Sequence, residues 1–237
     1  MTPLIIREMS ALYSKSNTKR VKHLFLNYAP TFFLIAMIVS VYISFNSSFF
    51  ANLIGGESFK NSSKAIAIMA FYPAHQTYGQ MCSSVFLASN KTNIIRNVTT
   101  VIFPVGFLLS IALIGPLKLF DENFGAVGLA LKVVSVQIFA VNIYLYIISR
   151  QLKFSFYKIF SQQLTTLASL YLIITISNYL SKTMFHSQSI IFLMTTFLYF
   201  ILTGIIIFLF PKLFSRKVGF LFRKKLKNNF KIFNIRN

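Results

Sequence analysis

Acidic residues are almost missing from this chain of 237 residues, which has four Asp and Glu against 24 Lys and Arg. Four scattered carboxylates are too few for a paired-carboxylate catalytic site or an acidic metal-binding motif. Cysteine is equally scarce: Cys82 stands alone, so no disulfide can form within the chain. Gly-rich phosphate loops and His/Cys clusters with metal-ligand spacing are also lacking. The sequence therefore predicts no cofactor, no metal and no enzymatic activity.

Apolar residues and cations are what the chain has in excess. Hydrophobic residues make up 55% of it, above the roughly 45–50% of soluble domains. They stand in long runs separated by short polar breaks, and a bilayer suits such runs because roughly 20 apolar residues cover its hydrocarbon core. The net charge of +20 lies in the breaks and the tail, whereas a nucleic-acid binder spreads cations over a soluble face. We expect an all-α integral membrane protein and no nucleic-acid partner.

Hydropathy predicts about six transmembrane helices within a membrane domain, residues 31–210. Continuous apolar runs without strict alternation favour helices over the strands of a barrel. The predicted spans cover residues 31–50, 65–87, 98–114, 124–148, 160–180 and 190–210. A cytoplasmic N-terminal segment, residues 1–30, precedes them, and a basic cytoplasmic tail, residues 211–237, follows them.

The distribution of cations predicts which side of the membrane each segment faces. If both termini are cytoplasmic, the inner segments hold most of the Lys and Arg, and the outer segments keep only Lys60, Lys64, Lys118 and Lys182. Three of the four acids, Glu57, Asp121 and Glu122, also fall outside. This asymmetry follows the positive-inside rule, and an even number of spans agrees with it.

The tail combines its cations with apolar residues at helical spacing: Val218, Phe222, Leu226, Phe230 and Phe233. This pattern predicts an amphipathic helix that lies on anionic lipid. A dedicated lipid sensor or a partner-binding tail is the alternative interpretation.

The second predicted span contains the densest set of polar residues. At 100° per residue, four of them share one face: Tyr72, Gln76, Gly79 and Ser83. His75 adjoins this face, and Pro73 is expected to bend the helix. Polar side chains inside a membrane cost free energy unless they face a partner or water. We interpret this stripe as the wall of a water-filled cavity; hydrogen bonding between packed helices is the alternative.

Lys132 is the only cation well inside a predicted span. Ser135 and Asn142 fall within roughly 80° of it on the helix, whereas Gln137 points elsewhere. One interpretation is a cavity cation that attracts an anionic ligand. The other is a side chain that snorkels to the outer interface, about two turns away.

Four segments, in order, resemble the C-terminal part of polysaccharide flippases in the multidrug/oligosaccharidyl-lipid/polysaccharide exporter superfamily. Residues 2–14, TPLIIREMSALYS, resemble a helix end and cytoplasmic loop of that family, and IGGESF (54–59) resembles its outer-loop Gly-Glu-x-aromatic motif. The helix with Pro73 and Gln80, followed by ASNKT (88–92), resembles the next span and its basic exit loop. GAVGLA (125–130) matches a Gly-x-x-Gly-x-Ala helix start.

The resemblance implies flipping of a lipid-linked oligosaccharide or polysaccharide precursor, such as an O-antigen unit, from the inner to the outer leaflet of the cytoplasmic (inner) membrane. Such flippases have two helical lobes around a cavity and about twice this length, because alternating access normally needs two halves. This sequence corresponds to the later spans only. A missing N-terminal lobe or a second subunit is therefore an expected partner, beside the lipid-linked oligosaccharide itself and anionic lipid at the basic tail.

The predicted substrate-binding residues are Tyr72, His75, Gln76, Ser83, Lys132 and Asn142. Under this hypothesis the polar side chains hydrogen-bond sugars, and Lys132 attracts the diphosphate as a point charge. Two alternatives remain: a membrane-embedded enzyme of the same pathway, such as a polymerase or acyltransferase, and an inactive fragment or assembly partner.

Overall fold

The computed structural model describes residues 2–114 and 124–210, and the regular structure in both ranges is helical. The α-helices are α1 (Thr2–Ser14), α2 (Thr18–Phe45), α3 (Ser47–Gly55), α4 (Ser63–Met69), α5 (Tyr72–Ala88), α6 (Thr92–Ile114), α7 (Gly125–Gln151), α8 (Phe156–Met184) and α9 (Gln188–Leu209), and a short 3-10 helix, Glu57–Ser62, precedes α4. Among these described residues, five helices are long and apolar enough to cross a membrane: α2, α6, α7, α8 and α9. The prediction of an all-α integral membrane protein is confirmed, and the chain is a multi-pass membrane protein.

The chain divides into two compact units, Met1–Phe156 and Tyr157–Asn237. In the first unit, α5 lies at the centre and packs against α1, α2 and α7, while α6 packs on α7. Phe33, Tyr78 and Leu145, from α2, α5 and α7, are among its fully buried side chains. Lipid tails are as apolar as these side chains, so close van der Waals packing holds the helices together.

Helix α2 begins well before the first predicted span, residues 31–50. Asn17 caps its start, since the Asn17 side-chain oxygen accepts a hydrogen bond from the Arg20 backbone N–H at 3.1 Å. This bond satisfies one of the N–H groups that a helix start leaves unpaired. The basic first turns of α2 thus join its apolar part in one helix, which ends at Phe45 and is followed by α3.

The second predicted span, residues 65–87, is divided into α4 and α5 by a break at Ala70 and Phe71. Pro73 follows the break and stands at the start of α5. Proline has no N–H to donate to the carbonyl four residues earlier, that of Met69, and its ring crowds that carbonyl. Pro73 was expected to bend one continuous helix; in the structure the helical hydrogen bonds are interrupted just before it, and the span is two helices.

Helix α6 turns most of its surface away from the other helices of the first unit. Only Val98 and Gly106 of α6 are buried, and Phe103 and Leu108 are 76% and 64% exposed. Apolar side chains on the outside of a membrane helix face lipid tails or another protein segment. Helix α6 is therefore the outermost of the long helices that bound the site described below.

The second unit contains α8 and α9, which both bury hydroxyl groups. In α8, Ser177 and Ser181 are buried, and each donates a 2.8 Å hydrogen bond to the carbonyl four residues earlier. Such bonds within a helix satisfy a hydroxyl inside a membrane without a second helix. The predicted basic tail, residues 211–237, and the outer-loop residues Lys118, Asp121 and Glu122 lie outside the described residues.

Candidate functional site

The polar face of α5 meets α7 through a pair of amide side chains. The Gln137 Nε2 atom donates a hydrogen bond to Oε1 of Gln76. Gly79 permits this close contact, because a Cβ atom added there would lie 3.1 Å from Cγ2 of Val141 and 3.5 Å from Nε2 of Gln137. The two helices are thus joined by a hydrogen bond at the level where a glycine lets them approach.

A cavity of about 340 Å³ lies beside this amide pair, between α5, α6 and α7. We call it the amide cavity. Its lining is rich in neutral hydrogen-bonding side chains: Gln76, Gln80, Ser83, Thr99, Gln137 and Tyr144. The described residues that line it include no charged group. Such a lining can donate and accept hydrogen bonds but cannot neutralise an ion.

The Tyr144 hydroxyl group joins α7 to α6 at one end of the amide cavity. It lies 3.5 Å from Oγ1 of Thr99 and 3.5 Å from the carbonyl oxygen of Ile95. Both distances are at the limit of a hydrogen bond, so these contacts are weak. A ligand hydroxyl can therefore replace them at little cost.

A second cavity, of about 270 Å³, lies between α6 and α7 and contains Lys132. We call it the lysine cavity. Thr99, Ile102 and Val136 line both cavities, so the two adjoin. Gly106 faces this cavity, and a Cβ added there would make ordinary contacts, 3.5 Å from Cγ2 of Val136 and 3.8 Å from Cε of Lys132. Lys132 is half-buried.

Together the two cavities form a track along α7, which we call the polar track after the hydrogen-bonding groups of the amide cavity and Lys132; apolar side chains line most of the lysine cavity itself. Lys132 and Tyr144 mark its ends and are twelve residues apart on the same helix. At a rise of 1.5 Å per residue, the track is about 18 Å long. It therefore covers more than half of a hydrocarbon core of about 30 Å.

An apolar groove of about 460 Å³ lies on the other side of α5, against α2 and next to the break between α4 and α5. Most of its lining is aliphatic or aromatic, including Phe32, Ile35, Val39 and Met81. Gln80 and Ser84 line both this groove and the amide cavity. Helix α5 thus has a hydrogen-bonding cavity on one side and an apolar groove on the other.

The six predicted substrate-binding residues do not all meet in one place. Gln76 and Ser83 line the amide cavity, and Lys132 lines the lysine cavity. The other three, Tyr72, His75 and Asn142, are half-buried but line neither of these cavities nor the apolar groove. The geometry thus connects the first three residues and leaves the other three apart.

His75 and Asn142 are held by nearby groups of the protein itself. The His75 ring packs edge-on against Phe33 of α2 with ring centroids 5.9 Å apart, and its Nδ1 is buried without a hydrogen-bond partner. The Asn142 Nδ2 atom donates to the carbonyl oxygen of Ile138 at 2.8 Å, while its Oδ1 is buried and unpaired. Both unpaired atoms can accept a hydrogen bond if the helices rearrange.

Sequence reasoning missed Gln137, Thr99 and Tyr144. Gln137 is not among the predicted substrate-binding residues, because it does not share a helix face with Lys132. It faces α5 instead, where its side chain donates a hydrogen bond to Gln76. The seven-residue spacing of Gln137 and Tyr144 places both on one face of α7, and this was the available signal. Thr99 stands next to Thr100 in the sequence, and only Thr99 lines the cavities.

Comparison with known proteins finds no matching protein family, curated protein or solved structure. Among the described residues there is also no group of three or more His, Cys, Asp or Glu side chains that could hold a metal ion. The interpretation of the site therefore depends on its own geometry and chemistry.

Proposed function

We propose that this protein moves a lipid-linked oligosaccharide across the membrane, with the sugar head group passing along the polar track. The observation that supports this best is the set of neutral hydrogen-bonding groups in the amide cavity between α5, α6 and α7, together with the adjoining cavity that contains Lys132. The family resemblance of the sequence supports the same function.

The chemistry of the amide cavity fits a sugar. Each sugar hydroxyl both donates and accepts, and the lining offers amides, hydroxyls and a phenol that do the same. The volume of about 340 Å³ lies at the lower end of the roughly 300–1,000 Å³ typical of small-molecule sites. A bare ion would find no opposite charge there, so an uncharged, hydroxyl-rich group is the better occupant.

Lys132 fits the diphosphate that joins the sugar to its lipid. A Lys ammonium is a compact point charge with three donors, which suits a phosphate oxygen. Because the lysine cavity adjoins the amide cavity, one ligand can place a sugar in one and a phosphate in the other. His75, Tyr72 and Asn142 stay in the proposal as residues that contact sugar when the helices rearrange.

The proposed setting is the cytoplasmic (inner) membrane with both termini on the cytoplasmic side, as the distribution of cations favours. Thr99 is exposed and lies on the outward-facing α6. A polar track at this position needs water or protein beside it, because lipid tails cannot satisfy its hydrogen bonds. We therefore propose that a second lobe or subunit forms the opposite wall, as in transporters that work by alternating access.

A labelling experiment tests whether the track holds water. Cys82 is buried, so the natural thiol contributes little background. We expect Thr99→Cys, in membranes, to react with a water-soluble maleimide at least about tenfold faster than Thr100→Cys, since only ionised thiols in water react quickly. Thr100 is the matched control: it is the same residue type, one position away, and lines neither cavity. Equal rates would contradict a hydrated track.

A transport assay tests the function itself. Vesicles that contain the full chain and a polyprenyl-diphosphate oligosaccharide are exposed to a glycosidase on one side, and the cleaved fraction is followed over time. Without transport, the enzyme cleaves only the half of the lipid that faces it. We expect the cleaved fraction to exceed one half only when the protein is present, and we expect Thr99→Val to slow this further cleavage more than Thr100→Val. A rate equal to that of protein-free vesicles would contradict transport by this chain alone. A chemically altered lipid, found by mass spectrometry, would instead favour the polymerase or acyltransferase alternative.

A further inference from the structure

Two loops of the first unit are joined at one end of the helices. They connect α1 to α2 and α7 to α8. The Gln151 Nε2 atom, at the end of α7, donates to the Tyr13 hydroxyl at 3.1 Å, and the rings of Phe25 and Phe154 stack with centroids 5.7 Å apart. Lys22 Nζ donates to the carbonyl oxygen of Lys153.

The loop between α5 and α6 joins the same end of the molecule. Near the end of α5, the centroid of the Phe86 ring lies 5.7 Å from that of Tyr144 on α7. The Tyr144 hydroxyl lies 3.5 Å from the carbonyl oxygen of Ile95, in the first turn of α6. The end of α5 and the start of α6 thus lie beside the part of α7 that leads to Gln151 and its bond to Tyr13. We call the three loops, together with the helical turns that flank them, the basic loop surface.

Each of these loops is short and turns at a residue in the left-handed conformation. Ser16, Asn90 and Lys153 have φ angles of 51°, 56° and 53°. In each loop, the next backbone N–H bonds to a carbonyl five residues earlier, at 2.9, 2.8 and 3.0 Å. This is the Schellman pattern, which ends a helix and fixes the residues after it. The backbone of each loop is therefore held at a defined position.

Cations dominate this surface. Besides Lys22, six exposed side chains belong to it: Lys15, Lys19, Arg20, Lys91, Arg150 and Lys153. Of the two acids among the described residues, Glu8 lies nearly two turns before the first loop and Glu57 lies beyond the far end of α2. Neither belongs to the basic loop surface, so its positive charge is not neutralised within the loops.

We expect this surface to lie at the depth of the lipid head groups. It contains the N-terminal ends of α2 and α6 and the C-terminal end of α7, three of the helices that can cross a membrane. Side chains in the first turns outside an apolar span reach the phosphate layer of the bilayer. A nucleic acid would have to compete with the membrane for the same cations.

We propose that the basic loop surface binds the phosphate groups of anionic phospholipids. Each Lys or Arg near an anionic membrane surface strengthens such binding by about fivefold at moderate salt. Three loops whose residues and flanking turns present seven cations together favour lipids such as phosphatidylglycerol over zwitterionic lipids. The proposal concerns residues other than those of the basic tail, and it does not depend on what the protein transports.

The test measures lipid preference with the full chain, tail included, in nanodiscs of mixed phosphatidylglycerol and phosphatidylcholine. The bound lipids that remain after release into detergent are counted by native mass spectrometry. The loop variant removes one exposed cation from each loop: Lys15→Gln, Lys91→Gln and Lys153→Gln. The matched control removes three cations from the tail: Lys224→Gln, Lys225→Gln and Lys227→Gln.

We expect the loop variant to lower the preference for phosphatidylglycerol by at least about fivefold, while the tail variant measures the separate contribution of the tail. The same three loop positions changed to Arg should retain the preference. If the loop variant keeps the wild-type ratio, the proposal is wrong. If the loop variant folds poorly, the double variant Lys15→Gln with Lys19→Gln takes its place, because it leaves Lys153 and its left-handed backbone unchanged. An unchanged ratio of bound phosphatidylglycerol to phosphatidylcholine in this double variant also overturns the proposal.

Discussion

The hydrogen bond between Gln76 and Gln137 gives the sharpest test of the packing between α5 and α7. We expect Gln76→Leu alone to destabilise the protein, because it leaves the half-buried Nε2 group of Gln137 without its protein partner. Gln137→Leu has the corresponding effect on Oε1 of Gln76. The double variant replaces both amides with apolar groups of similar size and should be nearly as stable as the wild type.

The expected size follows from hydrogen bonds measured between membrane helices. Double-mutant cycles in membrane proteins give about 0.6 kcal/mol on average and about 1.7 kcal/mol at most. The Gln76–Gln137 bond joins two helices where a glycine lets them approach, so its coupling energy should lie within this range, at about 0.6–1.7 kcal/mol.

The assay is reversible unfolding of the purified protein in mixed micelles, with helix content followed by circular dichroism for the four members of the cycle. A control cycle uses Thr99→Val and Tyr144→Phe, whose hydroxyls are 3.5 Å apart. A contact at that distance should give a coupling energy below about 0.3 kcal/mol. If the Gln76–Gln137 cycle gives no more than the control cycle, the amide pair does not hold α5 to α7.

Three further predictions concern single residues. Gly128→Ala should destabilise the protein by about 1–3 kcal/mol, because the new Cβ would lie 2.8 Å from a backbone oxygen of α6. A Cβ at Gly204 would have no atom within 4 Å, so Gly204→Ala should stabilise the protein by about 0.5–1 kcal/mol. Thermal unfolding of both variants checks this pair. Lys132→Gln should slow transport by about tenfold and Lys132→Arg much less; equal rates for wild type and Lys132→Gln contradict the phosphate role. Pro73→Ala should restore a backbone bond to Met69 and make α4 and α5 one helix, which amide hydrogen exchange at residues 70–73 would detect as increased protection.

The long apolar helices could be predicted from the sequence, and the break in the second predicted span only in part. The runs that became α6, α7 and α9 are apolar over most of their length, so hydropathy alone indicates them. Pro73 indicated a disturbance of its helix. Whether a proline bends a helix or interrupts it depends on what packs around the freed carbonyl, and a single sequence does not contain that information.

The candidate site was less predictable because two or three helices build it. Helical periodicity gives the face of each residue on its own helix but not the neighbour that this face meets. His75 shows the difficulty: it adjoins the polar stripe of α5, yet its ring packs against Phe33 of α2. Helix α5 has neighbours on several sides, so nearly every polar residue on it meets some helix. Gln137 and Gln76 were therefore hard to pair from sequence.

The placement of charge along α7 limits how a diphosphate-linked sugar could use the proposed track. Lys132 and Arg150 are eighteen residues apart, or about 27 Å along a helix, close to the thickness of the hydrocarbon core of about 30 Å. Between them the track offers neutral groups at Gln137 and Tyr144. A phosphate is stabilised at either cationic end and would be poorly stabilised among neutral amides without water. Under the proposed function, the sugar is therefore the part of the ligand suited to the middle of the track, and we expect the diphosphate to cross only while the opposite wall leaves the track open to water.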